Sequence, residues 1–313
     1  MSPAPRWWRL EMEAPPELEE SLLWKLPSLG IRRVAILFSP EQPSSHQLVA
    51  WLPEADWPEP ERQRLAEELE RLTEPFAMVL PPLGWQLQDE EDWSLSWKRH
   101  WQPDPVGERL LILPAWLEPP QEHAGRDLIR IDPGSAFGTG SHPTTRLCLE
   151  ALERLAPIDQ RVADLGCGSG ILGLGALRLG ARCVAAADTD PLAVRATASN
   201  GELNGYPVVP GGPLQVVEGS AQELAGLLAE DGPADLLLCN ILAPVIAELA
   251  GHFHTLLAPS GVGLLSGLLV DQAEGLCRLL AAHGWSADLV ASQGVWGLVQ
   301  IQWCRAVIPG DVA

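Results

Sequence analysis

One short stretch of this chain joins a strand, a glycine-rich loop and a helix start, and it constrains the fold more than any other. The apolar run at 162–165 leads directly into a loop with Gly166, Gly168 and Gly170. Because these residues lack a Cβ, the loop can adopt backbone angles closed to other residues and can press its backbone against a ligand. The N–H groups at the start of the next helix point into the same crevice. The stretch therefore predicts a ligand crevice at the carboxyl end of a strand in an α/β sheet.

The elements around this loop follow the pattern of an α/β protein. From residue 141 onward strands and helices alternate, which predicts a mostly parallel sheet with helices on both faces. The last two strands, at 286–291 and 295–303, have no helix between them, so we expect an antiparallel hairpin at one edge. The other expected elements are strands at 161–165, 182–187, 214–217, 235–239 and 261–266 and helices at 170–179, 191–204, 221–229, 244–257 and 271–283.

The acid that follows the second of these strands indicates what the crevice binds. Asp188 stands where an acid accepts hydrogen bonds from ribose hydroxyls, which predicts a cofactor that contains a nucleoside. The run 168–173 alone also fits the dinucleotide fingerprint of an NAD-dependent oxidoreductase. Asp164 and Gly166 extend it to D-x-G-x-G-x-G. In that form Gly166 opens the loop toward an amino-acid moiety, as is common among S-adenosylmethionine methyltransferases.

The first part of the chain has a different character. Strands are expected at 7–12, 32–38, 47–52 and 85–88 and helices at 17–29 and 59–72. The order β-α-β-β-α-β predicts a small ferredoxin-like α+β domain. Trp93, Trp97 and Trp101 recur at helical spacing, and we expect them to pack between domains. Strands at 109–113 and 127–131 follow. We therefore predict an N-terminal domain at 1–92, a linker at 93–125 and a catalytic domain at 126–313.

Composition narrows the partners and the compartment. The net charge is −20 and the chain has no basic stripe, so we expect no direct nucleic-acid binding. The acidity suits a basic protein substrate, or serves solubility alone. Neither a signal core nor a run of membrane-spanning length is present, and the six cysteines form no CxxC pair, so we expect a cytoplasmic protein with free thiols. His252 and His254 diverge on a helix, so no metal site is predicted.

Two further segments carry polar residues suited to chemistry. Asn240 follows the strand at 235–239, where its oxygen can accept a hydrogen bond from an amine; the alternative is an asparagine that satisfies a local turn. The segment 132–145 combines glycines with hydroxyl groups and suits a loop that folds over a ligand. Within it, His142 is a general base or a helix-start residue, with the second interpretation preferred. Cys167 is interpreted as a small turn residue rather than a nucleophile.

The sequence resembles a known family at these same segments. The matching runs are DPGSAFGTGSHPTTRLCLEALE (132–153), VADLGCGSGILGLGALRLGA (162–181), ADTDPLAVRATASNGELNG (187–205) and CNILAP (239–244). They closely resemble the ribosomal protein L11 methyltransferase family, whose substrate is large-subunit ribosomal protein eleven. Upstream runs at 91–103 and 107–120 extend the resemblance. The FGTGSHPTT and NILAP runs are far more specific than the glycine loop.

The resemblance implies an activity and a set of site residues. It implies a protein-lysine methyltransferase of enzyme class 2.1.1 that moves methyl groups from S-adenosyl-L-methionine to lysine side chains and an N-terminal amine. By resemblance, Thr145, Gly166, Asp188 and Asn240 contact the cofactor, and Asn240 is also catalytic. Asp190 is expected to cap the helix that begins at Pro191.

The resemblance also implies that the N-terminal domain recognises the substrate. We expect a monomer without a metal and without an obligatory carboxylate base. The alternatives are an NAD-dependent oxidoreductase, a methyltransferase for another basic protein, and a binding module that kept the fold.

Overall fold

The structure is a computed structural model, and it describes residues 6–31, 33–39, 42–89, 101–132, 140–229 and 231–304. These residues form two compact units, a smaller one that ends at Gln102 and a larger one that begins at Pro103. The domain boundaries at 92 and 125 stay predictions. The expected helix with Trp93 and Trp97 lies outside the described residues. No helix in the described ranges is long and apolar enough to cross a membrane.

The smaller unit is a four-stranded antiparallel sheet with two helices. The strands pair in the order β2-β3-β1-β4, and the elements follow one another as β-α-β-β-α-β. Helical spacing brings Leu18, Leu22 and Leu26 of the first helix and Leu65 and Leu69 of the second into one buried core against the sheet. The bounds are β1 (Arg6–Glu13), α1 (Glu19–Ser28), β2 (Arg33–Ser39), β3 (Gln42–Pro53), α2 (Glu59–Thr73) and β4 (Gly84–Asp89).

The larger unit begins with a three-stranded sheet, β5 (Asp104–Val106), β6 (Leu110–Pro114) and β7 (Asp127–Ile131). Strand β5 runs antiparallel to β6, and β6 runs parallel to β7. The guanidinium of Arg126 donates to the carbonyl oxygens of Gly107 and Leu110, which ties the turn between β5 and β6 to the start of β7.

A seven-stranded sheet forms the centre of the larger unit. Its order is β10-β9-β8-β11-β12-β14-β13, and all neighbours are parallel except the last two pairs. The prediction of a mostly parallel sheet with an antiparallel edge hairpin is therefore confirmed. The strands are β8 (Arg161–Leu165), β9 (Cys183–Asp188), β10 (Leu214–Glu218), β11 (Ala234–Asn240), β12 (Leu257–Leu269), β13 (Trp285–Gln293) and β14 (Trp296–Trp303).

Helices connect these strands, and one of them differs from its prediction. The single helix expected at 244–257 is two helices, α7 and α8, joined by a tight turn at Ala250–His252. Gly251 lies in that turn, and glycine is a poor helix former, which accounts for the interruption. The helices are α3 (Pro143–Leu155), α4 (Ile171–Arg178), α5 (Pro191–Leu203), α6 (Ala221–Leu228), α7 (Ala243–Leu249), α8 (Phe253–Leu256) and α9 (Val270–Ala282).

The sheet register brings the polar strand ends to one edge. Leu165, the last residue of β8, is paired with Ala187 of β9 and with Cys239 of β11. The glycine loop, Asp188 and Asn240 each follow one of these three paired residues. They consequently lie side by side at the carboxyl end of the sheet, where ligands bind in open α/β folds.

Candidate functional site

The glycine loop joins β8 to α4 in a backbone conformation that suits glycine. Gly166, Gly168 and Gly170 have φ angles of 77°, 56° and 80°. The N–H groups of Gly166 and Cys167 both donate to the carbonyl oxygen of Ala187, so the loop begins bound to the end of β9. A Cβ added to Gly166 would overlap Cγ2 of Ile241. Gly166 therefore lets the loop approach the turn that follows β11.

Asp188 is the acid that stands beside this loop. Its Oδ2 accepts from the N–H of Gly168 at 2.9 Å, and its Oδ1 accepts from the N–H of Asp190 at 2.9 Å. Partial burial raises the pKa of Asp188, since desolvation disfavours the charged form, and the two N–H donors oppose that shift. A carboxylate has about four acceptor positions, so two bonds leave room for a further donor. Asp188 is thus held rigidly with acceptor capacity to spare.

Asp190 caps the helix that follows. Its Oδ1 accepts from the N–H of Leu192 at 2.8 Å, and Pro191 occupies the first helical position of α5. This geometry is that of an N-cap residue and confirms the role expected from the sequence.

Asn240 and Thr145 meet on the other side of the loop. Asn240 ends β11 and is 7% exposed, and its Nδ2 donates to the hydroxyl oxygen of Thr145 at 3.4 Å. The Oδ1 of Asn240 has no hydrogen-bond partner in the described part of the chain. A buried acceptor without a donor costs about 1–3 kcal/mol, so it is an unusual feature in a folded protein. The orphaned oxygen fits a site that receives a donor from a ligand.

His142 is the N-cap of α3, as the preferred interpretation expected. Its Nδ1 accepts from the N–H of Thr144 at 3.2 Å and lies 2.8 Å from the hydroxyl oxygen of the same residue. Its ring packs edge-on against Trp296, with centroids 4.7 Å apart. Since Nδ1 accepts a hydrogen bond, the neutral ring carries its proton on Nε2. That tautomer suits a cap and is the wrong one for accepting a proton at Nε2.

The environment of Cys167 does not favour a nucleophilic thiolate. Burial raises the pKa of the Cys167 thiol well above its usual value, and its sulfur lies 3.2 Å from the hydroxyl oxygen of Thr197. This agrees with its interpretation as a small turn residue. The six cysteines are free, and within the described ranges no group of three His, Cys, Asp or Glu residues could hold a metal ion.

Asp164 lies on β8, just before the glycine loop, and the pKa of its carboxyl group is unusually high. Its Oδ2 accepts from the N–H of Gly173 at 3.0 Å, and its Oδ1 has no partner among the described residues. Full burial raises the pKa of Asp164 to about 7, with the Gly173 N–H opposing the rise and the negative charge of Asp188 adding to it. At neutral pH this carboxyl group is therefore divided between its two protonation states.

A row of polar side chains on α5 was not predicted from the sequence. Thr197 donates to the carbonyl oxygen of Gly168 at 3.0 Å. Asn200 donates to the carbonyl oxygen of Ser169 at 2.9 Å and accepts from the N–H of Asp132 at 2.9 Å. Asn204 exchanges two hydrogen bonds with the backbone of Arg130. These three residues are spaced three and four positions apart, which places them on one face of the helix, and this spacing could have identified them from the sequence.

Comparison with known protein families shows which family has this sequence. The family model described as "Ribosomal protein L11 methyltransferase (PrmA)" matches residues 6–303. The chain belongs to the ribosomal protein L11 methyltransferase family. A relative of that name from Synechococcus sp. (strain RCC307) is 64% identical over 298 residues, which cover 95% of this chain and 97% of the relative. One from Synechococcus elongatus is 44% identical over 301 residues, 96% of each chain.

A solved structure agrees with this family. The crystal structure of a ribosomal protein L11 methylase from Lactobacillus delbrueckii subsp. bulgaricus matches with a TM-score of 0.57 at 31% identity, covering 65% of this chain and 99% of that one. The predicted family, fold class and methyltransferase activity are confirmed, and the NAD-dependent oxidoreductase is not supported. The roles of Thr145, Gly166, Asp188 and Asn240 stay predictions.

Proposed function

We propose that this chain transfers methyl groups from S-adenosyl-L-methionine to amino groups of ribosomal protein L11, both lysine side chains and the N-terminal amine. The names of the relatives support this substrate. The observation that carries the chemistry is the buried Oδ1 of Asn240, which has no donor among the described residues and stands at the carboxyl end of β11.

In this proposal the glycine loop and the polar strand ends hold the methyl donor. The backbone at Gly166 would hold the donor's amino-acid moiety, and the spare acceptor positions of Asp188 would accept hydrogen bonds from its ribose. Thr145 lies within hydrogen-bond distance of Asn240, which supports a shared role for the two side chains. When bound, the donor supplies an electrophilic methyl carbon, so the protein's own task is to bind, orient and exclude water.

The acceptor amine must be neutral to attack that carbon. A lysine with a pKa near 10.4 pays roughly 4.6 kcal/mol to be deprotonated at pH 7. An apolar wall reduces this cost because it disfavours the ammonium form. Ile241 and Leu242 follow Asn240 directly, and Leu242 is 44% exposed at the site's rim, where it can contact an incoming side chain. Asn240 Oδ1 then accepts an N–H of the amine and aims its lone pair, with no carboxylate base required.

We also propose that residues 1–92 select the protein substrate. The separate compact unit at the N-terminus, with its own core, supports this division of labour. A ribosomal protein substrate and six free cysteines support a reaction in the cytoplasm.

Incorporation of labelled methyl groups tests the function. The full chain is incubated with labelled S-adenosylmethionine and purified ribosomal protein L11, and the modified amines are located by mass spectrometry. Labelled lysine and N-terminal amines are the expected result, with the Asn240→Ala variant as the control. Label on a different basic ribosomal protein would move the substrate assignment there. No label on any ribosomal protein would leave a binding module that kept the fold.

A further inference from the structure

A groove crosses the smaller unit outside the site described above. It lies between α2 and the segment at 79–85 that leads into β4, and its volume is about 470 Å³. Ala66 and Glu67 line the helix side, and Leu80, Leu83 and Trp85 line the other side. Leu65 and Leu69 of the same helix are buried in the core, so α2 presents a second face to the groove.

The groove is apolar along one wall and leaves that wall exposed. Val79 is 89% exposed, and Leu80, Leu83 and Trp85 are only partly buried. An exposed apolar patch rimmed by polar residues is the usual mark of a protein-binding surface.

The floor of the groove is held rigid by a stacked cation. The guanidinium of Arg62 lies 3.9 Å from the ring centroid of Trp8 and 5.3 Å from that of Trp85. The two indoles pack edge to face, with centroids 6.3 Å apart. Arg62 also forms an ion pair with Glu59, so its charge is already balanced. The floor is therefore preformed, and its single cation does not neutralise other charges of the groove.

Two carboxylates on the helix side of the groove have no ion-pair partner among the described residues. Glu67 and Glu70 are exposed, one turn apart, and line the groove. Neither forms an ion pair in the described part of the chain, whereas their neighbour Glu68 pairs with both Lys25 and Arg71. An apolar wall that faces two free negative charges is complementary to a segment that carries an apolar side chain between basic ones.

We infer that this groove binds a basic segment of the ribosomal protein that the enzyme methylates. An apolar side chain of that segment packs against Val79 and Leu83, and its Lys or Arg side chains meet Glu67 and Glu70. Ribosomal proteins bind the RNA backbone through Lys and Arg, so basic segments of this kind belong to the substrate class. The inference rests on the proposed function and assigns the substrate-selecting surface to one face of the smaller unit.

Charge reversal in the full chain tests the electrostatic part. The double variant Glu67→Lys/Glu70→Lys is compared with Glu13→Lys/Asp56→Lys, which makes the same charge change at exposed residues of the same unit outside the groove. We expect the KM for the ribosomal protein to rise about tenfold in the groove variant, equivalent to ~1.4 kcal/mol, and far less in the control. The kcat and the affinity for S-adenosylmethionine stay unchanged, and the salt dependence of KM weakens.

A second variant tests the apolar part. Val79→Ser removes an exposed apolar side chain with little effect on folding, because its native side chain is 89% exposed. Ile158→Ser is the matched control, since Ile158 is 68% exposed and lies in the larger unit. A severalfold rise in KM for Val79→Ser alone supports the docking groove.

The outcomes separate this inference from the proposed function. If the unaltered chain methylates the ribosomal protein and the groove variants match their controls, the groove is not the docking surface. If the groove variants instead change the sedimentation of the enzyme and leave KM unchanged, the surface joins two copies of this chain and the inference is wrong. If the unaltered chain methylates no ribosomal protein, the proposed function fails and the inference falls with it.

Discussion

Asn200 offers the sharpest test of how the glycine loop is held. It is 1% exposed, and its two side-chain bonds join the loop at Ser169 to the end of β7 at Asp132, 68 residues away from Asn200 in sequence. Asn204, one helical turn later, is 5% exposed and makes two comparable bonds to the backbone of Arg130, together with bonds to the carbonyl oxygen of Asn200 and the guanidinium of Arg178, but none to the glycine loop. Replacing either residue by alanine removes its hydrogen bonds to buried backbone groups, but only the first change releases the loop.

The sizes of the two effects follow from this geometry. Each variant removes the hydrogen bonds that at least one buried N–H and one buried carbonyl make to the side chain, at a cost of about 1–3 kcal/mol per group. We therefore expect Asn200→Ala to lower the free energy of unfolding by about 3 kcal/mol and Asn204→Ala to lower it by at least as much. Only Asn200→Ala also frees the loop. If the binding conformation is then populated about one tenth of the time, the Kd for S-adenosylmethionine rises about tenfold.

Urea denaturation measures the first quantity, and calorimetric titration with S-adenosylmethionine measures the second. The test is whether the Kd for S-adenosylmethionine rises in Asn200→Ala alone, because a general loss of stability would affect the Kd of both variants equally. Equal weakening of cofactor binding in both variants would refute the reasoning, as would an Asn200→Ala protein as stable as the unaltered chain. Asn200→Asp adds a check, since it keeps the acceptor for Asp132 and loses the donor to Ser169.

Three further predictions follow from the site. Asp188→Ala should weaken S-adenosylmethionine binding with little effect on folding, and unchanged affinity by calorimetry would contradict the ribose assignment. Asn240→Ala should lower kcat more than cofactor affinity, and equal losses in single-turnover and binding measurements would make it a cofactor ligand alone. Asp164 lies near the carboxylate of Asp188 and the thiol of Cys239, and its pKa is raised to about 7 in the folded chain. Its contribution to the free energy of unfolding is therefore complete below the pKa of the unfolded state and is lost as the pH rises through the pKa of the folded state. The stability of the unaltered protein relative to Asp164→Asn should therefore fall by roughly 2–3 kcal/mol between about pH 5 and about pH 8, and a difference independent of pH in urea titrations would exclude this.

The sequence predicted the parts of the fold that depend on local patterns. Strand–helix alternation gave the parallel sheet and its edge hairpin, and the rule that ligands lie at the carboxyl ends of strands placed Gly166, Asp188 and Asn240 at one edge. The interruption of the helix at 250–252 was not predicted, although a glycine such as Gly251 inside a helical pattern can indicate a break. The groove on the smaller unit could not be predicted, because it arises from how α2 packs against the segment at 79–85.

The missed contacts on α5 show why a glycine-rich loop needs support from outside. Glycine gives the loop its conformation at Gly166, but it also leaves the unfolded chain more freedom to lose on folding. Rigidity must then come from neighbouring side chains, and here Asp188 holds the N–H of Gly168, Thr197 holds its carbonyl and Asn200 holds the carbonyl of Ser169. These anchors approach from two different elements, β9 and α5. The loop motif therefore predicts where a ligand binds, while the residues that fix the loop can be found only once the packing of α5 is known.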